Sequence, residues 1–191
     1  MPFVAGNPAL DFVNTAEERG HPDAGDALIA VSDLCSWGQR YGLITHAAAE
    51  DQTTAEFKQA VEARDLLYAL FYAHTHHRPP ARPDLTRLAQ LAACAYAEAT
   101  VEPTSDGTIR WRWNPSRLAT IRHVAVTSAI DLLATGPTAR VKQCPGDHCG
   151  WFFLDTTKRG NRRWCSMSEC GQEAKNRGRR KAATEAPKRH S

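Results

Sequence analysis

The sequence predicts a mainly α-helical body that contains a small β-hairpin, an α+β class, followed by a small cysteine-rich module. Three observations support this fold: apolar residues recur at helical spacing through most of residues 27–135, a short alternating stretch interrupts them, and four cysteines form two pairs near the end. The chain has 191 residues, enough for one medium and one small domain. We therefore expect domains at residues 1–140 and 141–183 and a disordered basic tail at residues 184–191.

The predicted helices follow from their apolar stripes and from the residues that begin or end them. The first ends near Gly42, and the second, capped by a threonine at its start, has a stripe broad enough to be the central helix. The third follows a proline-rich break at residues 78–83. Pro115 fits the first turn of the last helix, which Gly136 and the proline after it end. The body is therefore expected to be mostly helical.

A hairpin and a linker complete the predicted body. The turn Ser105-Asp106-Gly107 separates two strand-like stretches, of which the second, residues 108–113, alternates arginine with bulky apolar residues. Residues 138–143 follow the last helix and are expected to be a linker. Cys35 and Cys94 lie among apolar residues on predicted helices, so both are expected to be buried thiols.

Two Cys-x4-Cys pairs, separated by fifteen residues, lie in the last fifty residues. This spacing is close to the patterns in which four thiolates hold one zinc ion. Disulfides are disfavoured because residues 1–6 lack the features of a signal peptide, and a redox centre is disfavoured because both spacings are four residues. Four protein ligands close the coordination shell, so we expect one structural Zn²⁺. The predicted ligands are Cys144, Cys149, Cys165 and Cys170.

The residues around the cysteine pairs predict a treble-clef-like finger of knuckle, β-hairpin and helix. Residues 151–154 are predicted as one strand and residues 162–164 as the strand that returns beside it. Ser166 or Ser168 can cap a helix that begins near Cys170. The finger is therefore a hairpin and a helix held by one metal ion.

The charge of the chain is divided between its two parts. The first 141 residues carry 12 basic and 16 acidic side chains, whereas the last 50 carry 12 basic and 5 acidic ones. An acidic body with a basic finger is typical of a nucleic-acid-binding module, although a basic run is often only a solvated tail. The predicted nucleic-acid contacts are Arg162, Arg163, Lys175, Arg177, Arg179, Arg180 and Lys181.

Several of these motifs resemble the CGNR zinc finger family. The resemblance rests on Cys-x4-Cys-Gly-Trp-Phe-Phe-Leu-Asp, on residues 162–167 and on Cys170-Gly171. It implies DNA binding by the finger. One departure stands out, because Gln172 and Glu173 occupy the positions of the Asn and Arg that name the family. Residues 6–15 resemble the start of the ABATE domain of stress-induced transcription regulators, which implies a one-component regulator whose body senses an effector.

A ligand site in the body is a second hypothesis from the residues. Asp11 and Asn14 lie one helical turn apart and, with Thr15, could orient a small ligand in a pocket; Trp111 and Trp113 could form its aromatic wall. Equally, Asp11 and Asn14 could satisfy backbone groups at the ends of a short helix, and the tryptophans could be core. The sequence leaves both interpretations open.

Two function classes follow from these observations. The favoured one is a cytoplasmic DNA-binding transcriptional regulator, with double-stranded DNA and a small-molecule effector as partners and a homodimer expected from operator symmetry. The alternative is a small-molecule-binding protein or an enzyme whose finger is a structural or docking module. No nucleophile, base and orienting group can be assembled, so an enzyme is not favoured. No apolar run is long enough to span a membrane.

Overall fold

The fold is known from a computed structural model that describes residues 2–16, 25–46, 54–147 and 149–185. The predicted fold class is confirmed: the described chain is mainly helical, with two small antiparallel hairpins. The helices are α1 (Pro8–Val13), α2 (Val31–Tyr41), α3 (Thr54–Thr75), α4 (Arg82–Ala97), α5 (Ala119–Ile130) and α6 (Cys170–Glu185). The strands are β1 (Thr100–Pro103), β2 (Ile109–Arg112), β3 (Val141–Gln143) and β4 (Phe152–Leu154). None of the described helices has the length and apolar character to cross a bilayer.

Helix α5 is the most completely buried helix of the body. It packs against α1, α3 and α4, and nine of its twelve residues are buried, including Arg122 and His123. The predicted central helix, α3, also lies in the core: it is the longest helix at 22 residues and packs against α1, α2, α4, α5 and β3, but it buries only one of its faces. A helix that is apolar on most of its circumference is the one that neighbours surround.

The first hairpin projects from the body with both strands largely exposed. Val101 pairs with Trp111, and Pro103 pairs with Ile109. The side chains of Val101, Ile109 and Trp111 are 51%, 73% and 50% exposed. At the foot of the hairpin, the Trp113 indole Nε1 donates a hydrogen bond of 2.7 Å to the carbonyl of Ala95 on α4.

Several element boundaries differ from the sequence prediction. Helix α5 begins at Ala119 rather than at Pro115, because the Asn114 side chain accepts a hydrogen bond from the Ser116 amide and holds a separate turn. A single π-helical turn, Asp131–Thr135, continues α5. The expected linker is also ordered: residues 138–140 form a 3₁₀ turn and residues 141–143 form strand β3.

The hairpin of the finger is not the predicted one. Strand β4 pairs with β3, in the register Val141↔Leu154 and Gln143↔Phe152, and residues 162–164 form no strand. The Lys142 ammonium donates hydrogen bonds to the carbonyls of Gly160 and Arg162. The Lys142 side chain thus satisfies the two carbonyls where a β-ladder would otherwise do so.

Candidate metal centre and nucleic-acid surface

The four predicted cysteine ligands come together at one point. Cys144 follows β3, Cys149 closes the next turn, and Cys170 is the first residue of α6. Their Sγ atoms, with that of Cys165, all lie within 4.8 Å of one another. The Cys149–Cys165 and Cys165–Cys170 sulfur distances are 3.4 and 3.6 Å. A tetrahedral zinc site with bonds of ~2.3 Å requires sulfur separations of about 3.8 Å, so the cluster has the size of such a site.

Two glycines shape the first cysteine loop. A Cβ atom at Gly146 would lie 3.1 Å from the Cβ of Cys149 and 3.2 Å from the Sγ of Cys170. Gly150 has a φ of +66°, in the left-handed region that favours glycine. The amide of Cys144 donates a 2.7 Å hydrogen bond to the Trp151 carbonyl, which closes the loop. The chain therefore reverses tightly enough for both thiols to face one point.

The chemistry of the four thiols fits Zn²⁺. All four are free cysteines, so the disulfide alternative does not apply. Hydrogen bonding to Cys144 and Cys149, together with burial, raises the pKa of the Cys165 thiol. Thiolates this close repel one another, and a divalent cation offsets that repulsion. The cluster fits one structural Zn²⁺ with four protein ligands. His148, inside the first loop, lies outside the described residues.

A buried carboxylate supports the segment between the two cysteine pairs. Asp155 is fully buried. It accepts hydrogen bonds from the Lys142 ammonium at 2.7 Å, from the Thr157 amide and hydroxyl at 3.0 and 2.6 Å, and from the Arg162 amide at 2.8 Å. Burial alone would raise the pKa of this carboxyl, but these donors outweigh it and hold the pKa below its ordinary value. Asp155 was not identified from the sequence as a structural residue, because in the sequence it is simply an acidic residue that follows an aromatic strand.

Arg162, predicted to contact nucleic acid, turns its guanidinium into the protein. It donates to the carbonyls of Trp164 at 3.0 Å and Val4 at 3.0 Å, and it makes a further short contact with the Cys165 carbonyl. Its guanidinium carbon lies 4.5 Å from the centre of the Phe153 ring. Because Arg162 joins the finger to the N-terminal segment, we leave it out of the nucleic-acid surface.

The other predicted cations lie at the surface of the finger. Arg163 is exposed, with its guanidinium 4.9 Å from the centre of the Trp164 ring. Lys175 and Arg179 are exposed and four residues apart, on one side of α6. Arg177 forms an ion pair with Asp147 of the first cysteine loop, and Arg180 is exposed. The side chain of Lys181 lies outside the described part of the chain.

The polar residues in and directly after α1 hold the backbone rather than line an open pocket. Asp11 is 2% exposed and accepts hydrogen bonds from the Ala5 amide at 3.0 Å and the Tyr41 hydroxyl at 3.3 Å. Asn14 is also 2% exposed, and its amide makes two hydrogen bonds with the backbone of Phe152. The Thr15 hydroxyl donates to the Phe12 carbonyl at 2.7 Å. These contacts correspond to the backbone-satisfying interpretation of Asp11 and Asn14.

The two tryptophans of the hairpin lie against α4 rather than α1. The Trp111 ring centre is 5.0 Å from that of Tyr96, and Trp113 bonds the Ala95 carbonyl. Within the described chain, the five predicted ligand-binding residues therefore have no common set of contacts. Cys94 was also predicted wrongly: it is exposed on α4, whereas Cys35 is buried as expected.

Comparison with known proteins assigns families to both parts of the chain. Residues 6–136 match the ABATE family, described as "Putative stress-induced transcription regulator". Residues 140–182 match the CGNR zinc finger family. No curated protein matches the chain. Since the first match covers more than half of the 191 residues, the chain belongs to the ABATE family and carries a CGNR zinc finger at its C-terminal end.

Proposed function

We propose that this protein is a DNA-binding transcriptional regulator, in which the zinc finger contacts double-stranded DNA and the body binds a small-molecule effector. The observation that carries the proposal is the set of exposed cations on a helix whose first residue is a zinc ligand. The family matches, to a transcription regulator and a zinc finger, support the same function.

The energetic argument rests on phosphate neutralisation. Each phosphate that a Lys or Arg neutralises releases condensed counterions, and this term supplies most of the non-specific affinity for DNA. Arg163, Lys175 and Arg179 are exposed cations in a segment with a net charge of +7, whereas the body has −4. This division of charge orients the finger, rather than the body, toward the polyanion.

The proposal extends to the organisation of the regulator. We take residues 1–140 as the sensing domain, residues 141–183 as the DNA-binding finger and residues 184–191 as a basic tail. A homodimer in the cytoplasm would match a two-fold symmetric operator. The contact surface of this homodimer has candidates in the exposed apolar residues of the first hairpin, Val101, Ile109 and Trp111.

The test measures the affinity of the zinc-loaded protein for a random-sequence DNA duplex across a salt series. Fluorescence anisotropy of the labelled duplex reports the binding. The experimental variant is Arg163→Ala/Lys175→Ala/Arg179→Ala. The matched control is Lys58→Ala/Arg82→Ala/Arg87→Ala, which removes the same charge from one exposed lysine and two exposed arginines of the body. We expect the finger variant to flatten the slope of log K against log salt by about 0.9 for each phosphate that it no longer neutralises, and the control to retain the wild-type slope.

Two results would contradict the proposal. Absence of binding at low salt would remove DNA as the partner. Equal effects of the two variants would mean that overall charge, rather than the finger, controls binding. A duplex RNA of the same sequence, titrated in parallel, distinguishes a DNA-binding finger from an RNA-binding one.

A further inference from the structure

An apolar pocket lies in the body where the chain turns from α3 into α4, beside the end of α5. Its volume is about 340 Å³. Seven of the nine residues that line it are apolar, and none of the seven is aromatic. The other two are His74, in the last turn of α3, and Arg78, which follows the helix. The apolar lining includes Leu70, Leu85, Leu88 and Ile130.

A distortion of α5 shapes one wall of the pocket. The helix continues past Ile130 as the π-helical turn Asp131–Thr135, and Leu133 and Ala134 of this turn belong to the lining. A π turn closes its hydrogen bonds over one more residue than an α turn, so it shifts the side chains that follow. Single π turns that extend α-helices occur frequently at functional sites. The pocket therefore forms where α5 departs from regular helical geometry.

The end of α3 fixes the backbone of Arg78. The Arg78 amide donates to the Ala73 carbonyl at 2.8 Å and the His77 amide to the His74 carbonyl at 3.1 Å, which is the pattern of a Schellman motif. His77 takes the left-handed position of this motif, with a φ of +53°, where glycine is usual. Pro79 follows, and a proline restricts the backbone of the residue before it. Arg78 is therefore held from both sides.

The positive charge of Arg78 is not neutralised by any of the described residues. Its side chain is exposed, and its guanidinium carbon lies 5.9 Å from the centre of the Tyr72 ring. A ring face attracts a cation but neither cancels its charge nor provides the in-plane acceptors that a guanidinium prefers. No acidic side chain is among the nine residues of the lining. A carboxylate is the group that complements this arginine, because its two oxygens match the guanidinium fork.

We infer that this pocket binds a small apolar carboxylic acid. Its carboxylate pairs with Arg78, and its hydrocarbon part lies against the leucines and Ile130. A volume of 340 Å³ has room for about eleven waters at ~30 Å³ each, which corresponds to a ligand of roughly ten non-hydrogen atoms. An apolar lining with a few polar groups that orient the ligand is usual for small-molecule sites. A positive side chain without a negative one in the lining selects an acid over an amine.

The position of the pocket suits an effector site. The His74 Nε2 donates to the Thr138 carbonyl at 2.8 Å, and Thr138 begins the 3₁₀ turn directly before β3. The lining thus contacts the segment that leads from α5 to the first zinc ligand, Cys144. The role of the ligand as an effector rests on the proposed function, whereas binding itself is measured without DNA. Failure of the pocket and failure of DNA binding are therefore separate results.

The test is isothermal titration calorimetry of the zinc-loaded full-length protein at about pH 7.5, where carboxylic acids are ionised. The probes are octanoate and phenylacetate, each compared with the alcohol and the amine of the same carbon skeleton. We expect at least one acid to bind about tenfold more tightly than its alcohol and its amine, since only the acid pairs with a guanidinium. Acids that bind no more tightly than their alcohols, or that give no heat at about 1 millimolar, would overturn the inference.

Arg78→Gln tests the carboxylate contact. We expect it to lower the ratio of acid affinity to alcohol affinity to about one, without weakening the alcohol, because it removes only the charge pair. The side chain is exposed, so the change should not prevent folding. The matched control is Arg87→Gln, which removes the same charge from an exposed residue of α4 outside the lining. An unchanged ratio in Arg78→Gln would refute the contact and with it the inference.

Leu85→Asp tests whether the ligand occupies this pocket. Leu85 is 45% exposed near the start of α4, where an acidic residue is compatible with the helix dipole, so the variant should fold. Its carboxylate would repel the acid from the lining, and we expect affinity to fall by about tenfold or more. Ile29→Asp makes the same change at an exposed residue outside the lining and should retain binding. Wild-type affinity in Leu85→Asp would place the ligand elsewhere and overturn the inference.

Discussion

At the scale of single residues, Asn14 joins the N-terminal segment to the finger. Its side-chain amide donates to the Phe152 carbonyl at 2.8 Å, and its carbonyl accepts from the Phe152 amide at 2.9 Å. The Leu154 amide continues the same edge of β4 with a 2.8 Å hydrogen bond to the Ala5 carbonyl. The N-terminal segment therefore pairs with the edge of β4 that β3 leaves open, which satisfies buried backbone groups of the finger.

Asn14→Ala should destabilise the zinc-loaded protein by about 2–6 kcal/mol, because it leaves two buried backbone groups without partners, each worth ~1–3 kcal/mol. Urea denaturation, monitored by circular dichroism, measures the free energy of unfolding. The control is Asn176→Ala on the exposed side of α6, where the side chain accepts a hydrogen bond from Gln172 at the surface. A loss below about 0.5 kcal/mol at Asn14, the size of an ordinary surface change, would show that the pairing contributes little.

The departure from the CGNR motif also concerns a single residue. Glu173 is exposed in the first turn of α6, beside the proposed DNA-binding cations. Glu173→Arg removes a negative charge and restores the family residue, so we expect tighter DNA binding and a salt slope steeper by about 0.9. Glu62→Arg makes the same charge change on the exposed side of α3. Equal gains in the two variants would indicate a net-charge effect without a contact at position 173.

Among the structural elements, the segment between the cysteine pairs is held by side chains instead of a β-ladder. Asp155 collects donors from β3, from the turn after β4 and from the Arg162 backbone. Lys142 meanwhile bonds two carbonyls of the returning chain. One ion pair therefore sets the path of the segment that leads to Cys165, and so the position of the second pair of zinc ligands.

Asp155→Asn should accelerate zinc loss to a chromogenic chelator by roughly tenfold, because groups that support metal ligands typically contribute 10–100-fold to metal affinity. The folded-state pKa of Asp155 is below its ordinary value of 3.8. Its contribution to stability is therefore complete above that pH and is lost as the pH falls through the folded-state pKa. The ratio of wild-type to variant rates should stay constant from pH 8 to pH 6, about two units above the range in which the carboxyl titrates.

Asp84→Asn on α4 is the matched control, since it makes the same change in the body, away from the finger. Equal zinc-loss rates in the wild type and in Asp155→Asn would mean that the thiols alone determine the path of the segment.

Across the whole molecule, the finger shares a core with the body. Phe152 is fully buried, with its ring centre 5.5 Å from Tyr68 and 5.9 Å from Phe71 of α3. Val141 of β3 belongs to the same cluster. A second cluster, formed by Phe153, Cys144 and Cys165, lies on the zinc side. Adjacent residues of β4 thus face two cores, which places the metal centre one residue from the core of the body.

Removal of zinc with a chelator should therefore loosen the body as well as the finger. We expect faster amide hydrogen exchange in α1 and α3, which contact the finger strands, and unchanged exchange in the exposed hairpin β1–β2. Mass spectrometry of the full-length protein measures the exchange. Restoration of protection by added zinc is the control, and protection in α1 and α3 that does not depend on zinc would show that the two parts are energetically independent.

The metal ligands, the helical class and the division of charge follow from the amino-acid sequence without the fold. Cysteine spacing reports ligand geometry within a few residues, helical periodicity reports which faces are apolar, and charge is a property of composition. None of these depends on contacts between distant parts of the chain.

The contacts that hold the finger to the body follow only from the packing of distant segments. Asn14 and Phe152 are 138 positions apart, and the inward path of Arg162 depends on the carbonyl of Val4. The sequence predicts residues 141–143 as part of a linker, because three residues carry too little periodicity to identify a strand. They form strand β3 through pairing with β4. The packing of separate elements against one another has no local signature in the sequence.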